Sequence, residues 1–187
     1  DPARCKQELA AAGYGDGFSK QLLSLNSTPY ADLATAIQQN LAVAGVKVDI
    51  QTGNGDQTYG PMRDRKFQLG VGRTASSAQT DADGWVRTHA YNPDNKDDAN
   101  LANLQAWRAS FELPEVNRLI DEAAAITDNE EKRVELYKQA LRLFEESGPP
   151  VIPISQRVDP YAKSARLKNY VGDIGWMTRW DQVEKQD

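Results

Sequence analysis

The sequence predicts an α/β fold, an open mixed sheet flanked by helices. Two observations lead to this prediction. Short apolar runs alternate with amphipathic helical segments between residues 18 and 71, and two more amphipathic helices follow residue 113. Strands and helices that alternate along a chain usually pack in layers, with the helices covering a largely parallel sheet.

The first unit of this fold is a strand, a helix and a second strand. A short strand is predicted at 22–25, and the helix after it has Ser27 or Thr28 as its N-cap. The helix ends at Gly45, a typical C-terminal cap. Apolar and charged residues then alternate at 46–50, as in a strand with one buried face. Connections of this kind favour a right-handed crossover, so the two strands are predicted to be parallel.

The pattern extends on both sides of this unit. A helix is predicted at 2–12, and it ends at the glycine-rich turn 13–17. A further helix at 57–65 leads into an alternating strand at 67–71. The first third of the chain therefore looks like the beginning of an open sheet.

Two helices are predicted in the second half of the chain. Pro114 opens the first of them. Thr127 or Asp128 caps the second, which ends at Gly148-Pro149-Pro150. Both carry apolar residues at helical spacing, so each is predicted to bury one face.

Two more strands are predicted beyond these helices. The apolar run 151–154 is interrupted only by Pro153, which indicates a buried strand near a sheet edge. A further strand is expected at 161–165.

Composition and motifs exclude several functions. The formal net charge of −5 argues against a nucleic-acid partner, because binding phosphates requires a basic face. No apolar run approaches the ~20 residues that a transmembrane helix needs. A single histidine and a single cysteine cannot build a metal centre, and no nucleotide-binding motif is present, so no cofactor is predicted.

The best candidate for a ligand site follows the strand at 67–71. Ligands of open α/β sheets bind beyond the carboxyl ends of the strands. There the sequence places a cation, small polar residues, two carboxylates and aromatic rings, the mixture that a small-molecule pocket needs. The predicted ligand-binding residues are Arg73, Thr74, Ser76, Asp81, Asp83, Trp85 and Trp107.

Several of these residues also have a purely structural interpretation. Asp81 or Asp83 could cap a helix that starts near Gly84, and Trp85 could belong to the core. Arg73 could pair with a nearby carboxylate. His89 shares a helix face with Trp85 if the segment is helical, and a structural role is expected for it.

Three segments together resemble a known family. The opening "ARCKQELAAAGYGDGF", the segment "AIQQNLAVAGVKVDI" and the helix pair that begins "EVNRLIDEAAAI" are similar to the oligopeptide/dipeptide/nickel class of solute-binding proteins. A class motif, D-x-x-x-R-x-x-L-Y, maps onto Arg133, Leu136 and Tyr137, with Asn129 at the aspartate position. The resemblance runs from Arg4 to about residue 172.

This resemblance implies a lobe of the type II periplasmic-binding-protein fold. Residues 1–187 would form a single α/β lobe, and 166–187 would be a return segment toward a missing N-terminal lobe of the same chain. The solute, a peptide or another small molecule, would be held in the cleft between the lobes. The partner would be the membrane permease of an ABC importer. The location would be the periplasm, or the outer face of a Gram-positive membrane.

One class feature is altered. Peptide binders of the class carry a segment like A-D-Y-x-D-P, in which the first acidic residue can meet the ligand's amino terminus. The matching stretch here is "SAQTDADGW", and the first acidic position falls on Ala78 or Thr80, depending on the register. The resemblance therefore does not imply that this chain grips a free peptide amine.

Solute capture without chemistry is the predicted function, so the protein is not expected to be an enzyme. Two alternatives remain from the sequence. One is a carboxylate-dependent hydrolase that uses Asp81 and Asp83 or Glu112 and Glu115. The other is a sensor or interaction module on the same fold, since a fold does not fix a function.

Overall fold

The computed structural model describes residues 1–73, 81–155, 160–170 and 180–186. Helices and strands alternate in the first part of the chain, and helices dominate the second. In order they are α1 (Pro2–Ala11), β1 (Phe18–Leu25), α2 (Tyr30–Val43), β2 (Val46–Gly53), α3 (Gly55–Arg63), β3 (Leu69–Val71), α4 (Ala82–Ala90), α5 (Gln105–Arg108), α6 (Pro114–Ala124), α7 (Glu130–Glu146), β4 (Leu167–Lys168) and β5 (Glu184–Lys185). Short 3₁₀ helices cover Asp97–Ala99 and Trp180–Gln182.

The main sheet has three strands in the order β2-β1-β3, and both pairings are parallel. Phe18 lies opposite Val46, and Leu22 lies opposite Leu69. The predicted parallel strand–helix–strand unit is thus confirmed, and with it the α/β fold class. Strands β4 and β5 form a separate antiparallel pair.

The apolar side chains of the described residues bury themselves in two clusters. The first lies between the sheet and α2 and contains Leu22, Ala34, Val46, Val48 and Val71. The second joins α4, α6 and α7 and contains Val86, Ala90, Val116, Leu119, Ile120, Ala123, Leu136, Tyr137, Ala140 and Phe144. Both of the amphipathic helices predicted in the second half bury the expected face.

Helix ends agree with the sequence in part. Gly45 follows the C-cap of α2 with a φ of +94°, as a C-terminal glycine should, and Gly148 plays the same role after α7 with +75°. The predicted N-cap of α2 is wrong. Pro29 occupies that position instead of Ser27 or Thr28, and no side chain there bonds the helix.

Two other helix starts also differ from the prediction. Helix α3 begins at Gly55, two residues before the predicted 57–65, because Asn54 and Gln57 form a capping box. Helix α7 is capped by Asn129, whose side chain accepts from the amide of Lys132, rather than by Thr127 or Asp128. In each case the side-chain oxygen of an asparagine accepts from one free N–H group of the first turn.

Three strand predictions need correction. Strand β3 covers only Leu69–Val71 of the predicted 67–71. No strand forms at 151–154, and Ile152 and Ile154 are 78% and 55% exposed. Pro153 lacks an N–H for a sheet ladder, and none of the described strands pairs with this run. The strand expected at 161–165 is absent, and the chain pairs instead at Leu167–Lys168.

Within the described residues, none of the helices combines the length and the apolar character that a membrane span requires.

Candidate functional site

The carboxyl ends of the three parallel strands define the candidate site. Strands β1, β2 and β3 end at Leu25, Gly53 and Val71, so the residues that follow them share one edge of the sheet. The amide of Asn26 donates to the carbonyl of Gly53 at 2.9 Å, which ties the first two strand ends together. This is the edge at which open α/β sheets bind their ligands.

Helix α3 starts directly at this edge and is fixed there by two contacts. Its capping box joins Asn54 and Gln57 through two bonds of 3.0 Å. The buried hydroxyl of Thr58 donates to the carbonyl of Ser24 on β1 at 3.0 Å. Since both the strand and the helix start are held, the residues of the first turns of α3 have fixed positions at the site.

Arg73 lies at the end of β3 and is held by α3. Its backbone N–H donates to the hydroxyl of Tyr59 at 3.1 Å. Gly72 makes this approach possible, because a Cβ at that position would lie 2.7 Å from the same hydroxyl oxygen. The side chain of Arg73 is exposed and has no ion pair with any described residue. Thr74 and Ser76, which follow it, lie outside the described residues.

Asp81 caps helix α4. Its carboxylate accepts from the amide of Asp83 at 2.8 Å, and it also pairs with Arg133 of α7 at 2.5 Å. The bond from Arg133, helped by the bond from that amide, lowers the pKa of the Asp81 carboxyl. The capping interpretation of Asp81 is therefore confirmed. Its carboxylate also forms an ion pair with Arg133.

Asp83 lies in the first turn of α4, and its carboxylate also accepts hydrogen bonds from other side chains. It accepts from the Tyr137 hydroxyl at 3.0 Å and from the Arg87 guanidinium at 3.1 Å. Burial, together with the bond to Asp83, raises the pKa of Tyr137 to about 12. Arg87 also reaches Asp121 of α6 at 3.0 Å. Polar contacts thus tie α4 to α7 through Tyr137 and to α6 through Asp121.

Trp85 and His89 form a stacked pair on α4. Their ring centroids lie 4.3 Å apart with 26° between the planes, and the His89 Nδ1 lies 2.7 Å from the carbonyl oxygen of Trp85. His89 is buried, and this burial lowers its pKa. Trp85 is 37% exposed and borders a cavity of about 100 Å³ that is also lined by Phe144 and Pro153. The structural role expected for His89 fits this geometry.

Trp107 lies on α5, inside the fold. It is 4% exposed, and its indole N–H donates to the carbonyl of Lys96 at 3.0 Å. The guanidinium of Arg65 stacks on its ring at 4.8 Å. The structure thus groups Asp81, Asp83 and Trp85 on one helix, with Arg73 at the strand end and Trp107 buried on another helix. Their roles as ligand contacts stay predictions.

Sequence reasoning did not single out Tyr59, and it gave neither Arg133 nor Tyr137 a role at the site. A signal for the last two was present, because Arg133 and Tyr137 stand four residues apart and therefore share a helix face. No comparable signal pointed to Tyr59, whose contact with Arg73 depends on the packing of α3 against β3. Among the described residues, no group of three or more His, Cys, Asp or Glu side chains could hold a metal ion.

Comparison with known proteins adds to this geometry. The bacterial extracellular solute-binding proteins of family 5, in their middle region, match residues 1–97. Heme-binding protein A of Haemophilus influenzae is 29% identical over 182 residues, a match that covers 91% of this chain and 30% of that protein.

Solved structures show the same fold. A dipeptide-binding protein from Pseudoalteromonas sp. SM9913, in complex with Met-Leu, gives a TM-score of 0.72 at 18% identity, covering 100% of this chain and 36% of that one. HbpA2 from Haemophilus parasuis gives 0.65 at 25% identity over 79% of this chain and 28% of that one. The chain thus spans about a third of the length of these relatives.

Proposed function

The chain belongs to the bacterial extracellular solute-binding proteins of family 5, and from this membership we propose that it captures a small solute for an ABC importer. The observation that carries the proposal is the family match over residues 1–97, which contain the three parallel strands and their shared carboxyl edge. The solute in this proposal is peptide-like or another small organic molecule. The relatives' names include a haem binder and a dipeptide binder, and both fit this broad class.

We place the solute against the edge formed by the ends of β1, β2 and β3. Arg73 supplies an exposed cation there, and Thr74 and Ser76 are the small polar residues predicted next to it. Trp85 offers a partly exposed aromatic surface at the start of α4. In this arrangement Asp81 and Asp83 serve the solute indirectly, since their bonds to Arg133 and Tyr137 fix the helix start.

The partners follow from the same proposal. We propose that the chain forms one lobe of a two-lobed protein, with residues 166–187 returning toward the other lobe, and that solute is enclosed between the lobes. The closed protein would then deliver its solute to a membrane permease. The family is extracellular by its description, and we place this member in the periplasm or tethered to the outer face of a membrane.

We further propose that the protein performs no reaction on its solute. A carboxylate-dependent hydrolase needs one acid with a raised pKa and a second, free carboxylate. Arg133 lowers the pKa of Asp81 instead, and Asp83 is engaged by Arg87 and Tyr137. In the other pair, Arg118 lowers the pKa of Glu115, so neither pair has the arrangement that the hydrolase alternative needs.

Mass spectrometry of small molecules that co-purify with the complete gene product tests the proposal. We expect one solute or one narrow class of solutes, released on denaturation. Calorimetry with the identified solute should then show an affinity about tenfold weaker for Arg73→Ala, the loss expected for one hydrogen bond to a charged group.

A matched control is Arg4→Ala, which removes an exposed arginine of α1 that is paired only with Glu8 among the described residues. Its affinity should stay within about twofold of the wild type. A complete gene product that binds no small molecule, by either method, contradicts the proposed function. Steady turnover of the solute contradicts the absence of chemistry.

A further inference from the structure

Two arginines near the proposed site have no ion pair with a described residue. We propose that Arg63 of α3 and Arg108 of α5, beside Tyr59, bind one anionic group of the captured solute, a carboxylate or a phosphate. This inference rests on the proposed function, which it deepens by giving the chemical class of one part of the solute.

The segment that follows α3 contacts α5, and the two cations lie close enough for the charge of one to act on the other. Arg65, two residues beyond Arg63, stacks on the ring of Trp107 at 4.8 Å, and it donates to the carbonyl of Asn95 at 2.8 Å. Arg108 is the next residue after Trp107, and it interacts electrostatically with Arg63 and Tyr59 of α3. Tyr59 and Arg63 are four residues apart on α3, so they share a face of that helix.

Arg108 is held in place but is not neutralised. Its Nε donates to the carbonyl of Ala102 at 2.6 Å, whereas its two terminal nitrogens have no hydrogen-bond partner among the described residues. These nitrogens are not sealed in the interior. Burial of the side chain, and then the positive charge of Arg63, lower the pKa of Arg108. The fold thus holds a half-buried guanidinium next to a second cation.

The other arginines that are partly buried in this structure are paired with carboxylates. Each has a carboxylate partner within 3.1 Å: Arg65 with Asp97, Arg87 with Asp83, and Arg133 with Asp81. Neither Arg63 nor Arg108 has an ion pair in the described part of the chain. Acidic residues are not scarce, since the sequence has 27 of them against 22 lysines and arginines.

Binding of an external anion would explain why Arg63 and Arg108 lack a carboxylate partner. A partly buried cation without a partner is costly, and a second cation nearby increases the cost. A carboxylate or phosphate offsets both costs, and the planar guanidinium can bind either through two parallel hydrogen bonds. The free terminal nitrogens of Arg108 are the donors for such a pair of bonds.

The position of this cluster agrees with the proposed solute site. The hydroxyl of Tyr59 accepts from the backbone of Arg73 at 3.1 Å, so Tyr59 connects the arginine cluster to the end of β3. A solute seated on the carboxyl edge of the sheet would reach the two arginines by extending its anionic group past Tyr59 along α3.

The test follows the arginine Nε–H signals of the complete gene product by NMR during two titrations at constant ionic strength. One uses sodium acetate and the other sodium phosphate, which distinguishes a carboxylate site from a phosphate site. We expect saturable shifts of the Arg63 and Arg108 signals with one of the two anions. The Arg63→Gln variant, read at Arg108, should bind that anion about tenfold more weakly.

The control is Arg118→Gln, an exposed arginine of α6 that is paired with Glu115 and Glu122. It removes the same charge and should leave the titration unchanged. Absence of a saturable shift with either anion, or equal weakening in both variants, overturns this inference. If this inference fails but a solute co-purifies in the mass-spectrometry test, the proposed function is supported without the anion site. Anion binding without any captured solute contradicts the proposed function instead.

Discussion

At the scale of single residues, His89 couples stability to pH. Burial lowers its pKa below the ordinary 6.5, so the folded protein favours the neutral ring. The neutral His89 ring therefore contributes its full stabilisation above pH 6.5. This contribution is lost as the pH falls from 6.5 toward the lowered pKa. Because His89 is the only histidine, no other imidazole contributes to this slope.

We expect the free energy of unfolding of the wild type to fall by up to about 1.4 kcal/mol per pH unit just below pH 6.5. His89→Phe keeps an aromatic ring against Trp85 but cannot be protonated, so its stability should change less over the same range. Denaturant titrations between pH 7.5 and 5 measure the two slopes. Parallel slopes for the two proteins would contradict this role of His89.

A second prediction at this scale concerns the hydroxyl of Tyr137. It donates to Asp83, and its raised pKa of about 12 means that the bond stabilises the fold fully below pH 10 and is lost as the pH rises through 12. Tyr137→Phe should reduce the free energy of unfolding at pH 7 by about 1–2 kcal/mol.

Tyr14→Phe is the matched control, because Tyr14 is exposed and its hydroxyl has no hydrogen bond to a described residue. Its stability should equal that of the wild type. A double-mutant cycle with Asp83→Ala, which removes the acceptor, isolates the pair, and a coupling energy near zero would show that the bond does not stabilise the fold.

At the scale of elements, the sequence predicted a helix or strand correctly where a short stretch of residues determines its structure. The turn at Gly45 and the alternation at 46–50 predicted the end of α2 and the direction of β2 correctly. The run 151–154 shows the limit of such signals. Its apolar residues are typical of a buried strand, but a strand also needs a neighbour to pair with, and no stretch of sequence this short contains that information.

At the candidate site, too, contacts between sequence neighbours could be predicted, whereas contacts between distant residues could not. Asp81 was identifiable as a helix cap because capping depends on neighbours in the sequence. Its pairing with Arg133, 52 residues away, was not, since that bond depends on how α4 packs against α7. The approach of Arg108 to Arg63 and Tyr59 was not predictable for the same reason, because only the fold brings these distant residues together.

The starts of β1 and β2 lie side by side through a close contact between the two glycines that precede them, which provides the prediction at this scale. Gly17 and Gly45 both have a positive φ, but only at Gly17 would a Cβ clash with backbone, 2.1 Å from the carbonyl oxygen of Gly45, whereas a Cβ at Gly45 would lie 3.8 Å from the Gly17 Cα. Gly45→Ala should cost about 1–2 kcal/mol for its conformation. Gly17→Ala should cost about 1–3 kcal/mol more, because the backbone must also move.

Thermal and denaturant unfolding of the two variants measure this difference. Gly13→Ala is a useful third member, since Gly13 also has a positive φ and a Cβ there would meet nothing within 4 Å. It should resemble Gly45→Ala. Equal losses at Gly17 and Gly13 would show that the contact with Gly45 adds nothing.

At the scale of the whole molecule, the described residues form two apolar clusters that are joined through polar contacts. The sheet and α2 form one cluster, and α4, α6 and α7 form the other. Arg65 connects them, because it extends from the end of α3 to Asn95, Asp97 and Trp107. The proposed solute site and the arginine cluster both lie where the two parts of the chain meet.

The last prediction follows from the extent of the chain relative to its family. This chain spans about a third of the length of the relatives described above, and the proposed cleft needs a second lobe to enclose a solute. A surface that is open on one side leaves the solute hydrated and its polar groups incompletely paired, so most of the binding free energy is lost.

We therefore expect the isolated 187-residue chain to bind the co-purified solute at least about a hundredfold more weakly than the complete gene product, a difference of about 2.8 kcal/mol. Calorimetry of both proteins with the same solute measures the ratio, and circular dichroism confirms that the isolated chain is folded. An isolated chain that is folded and binds as tightly as the complete gene product would show that one lobe suffices. The enclosing cleft would then have to be abandoned as the basis of capture.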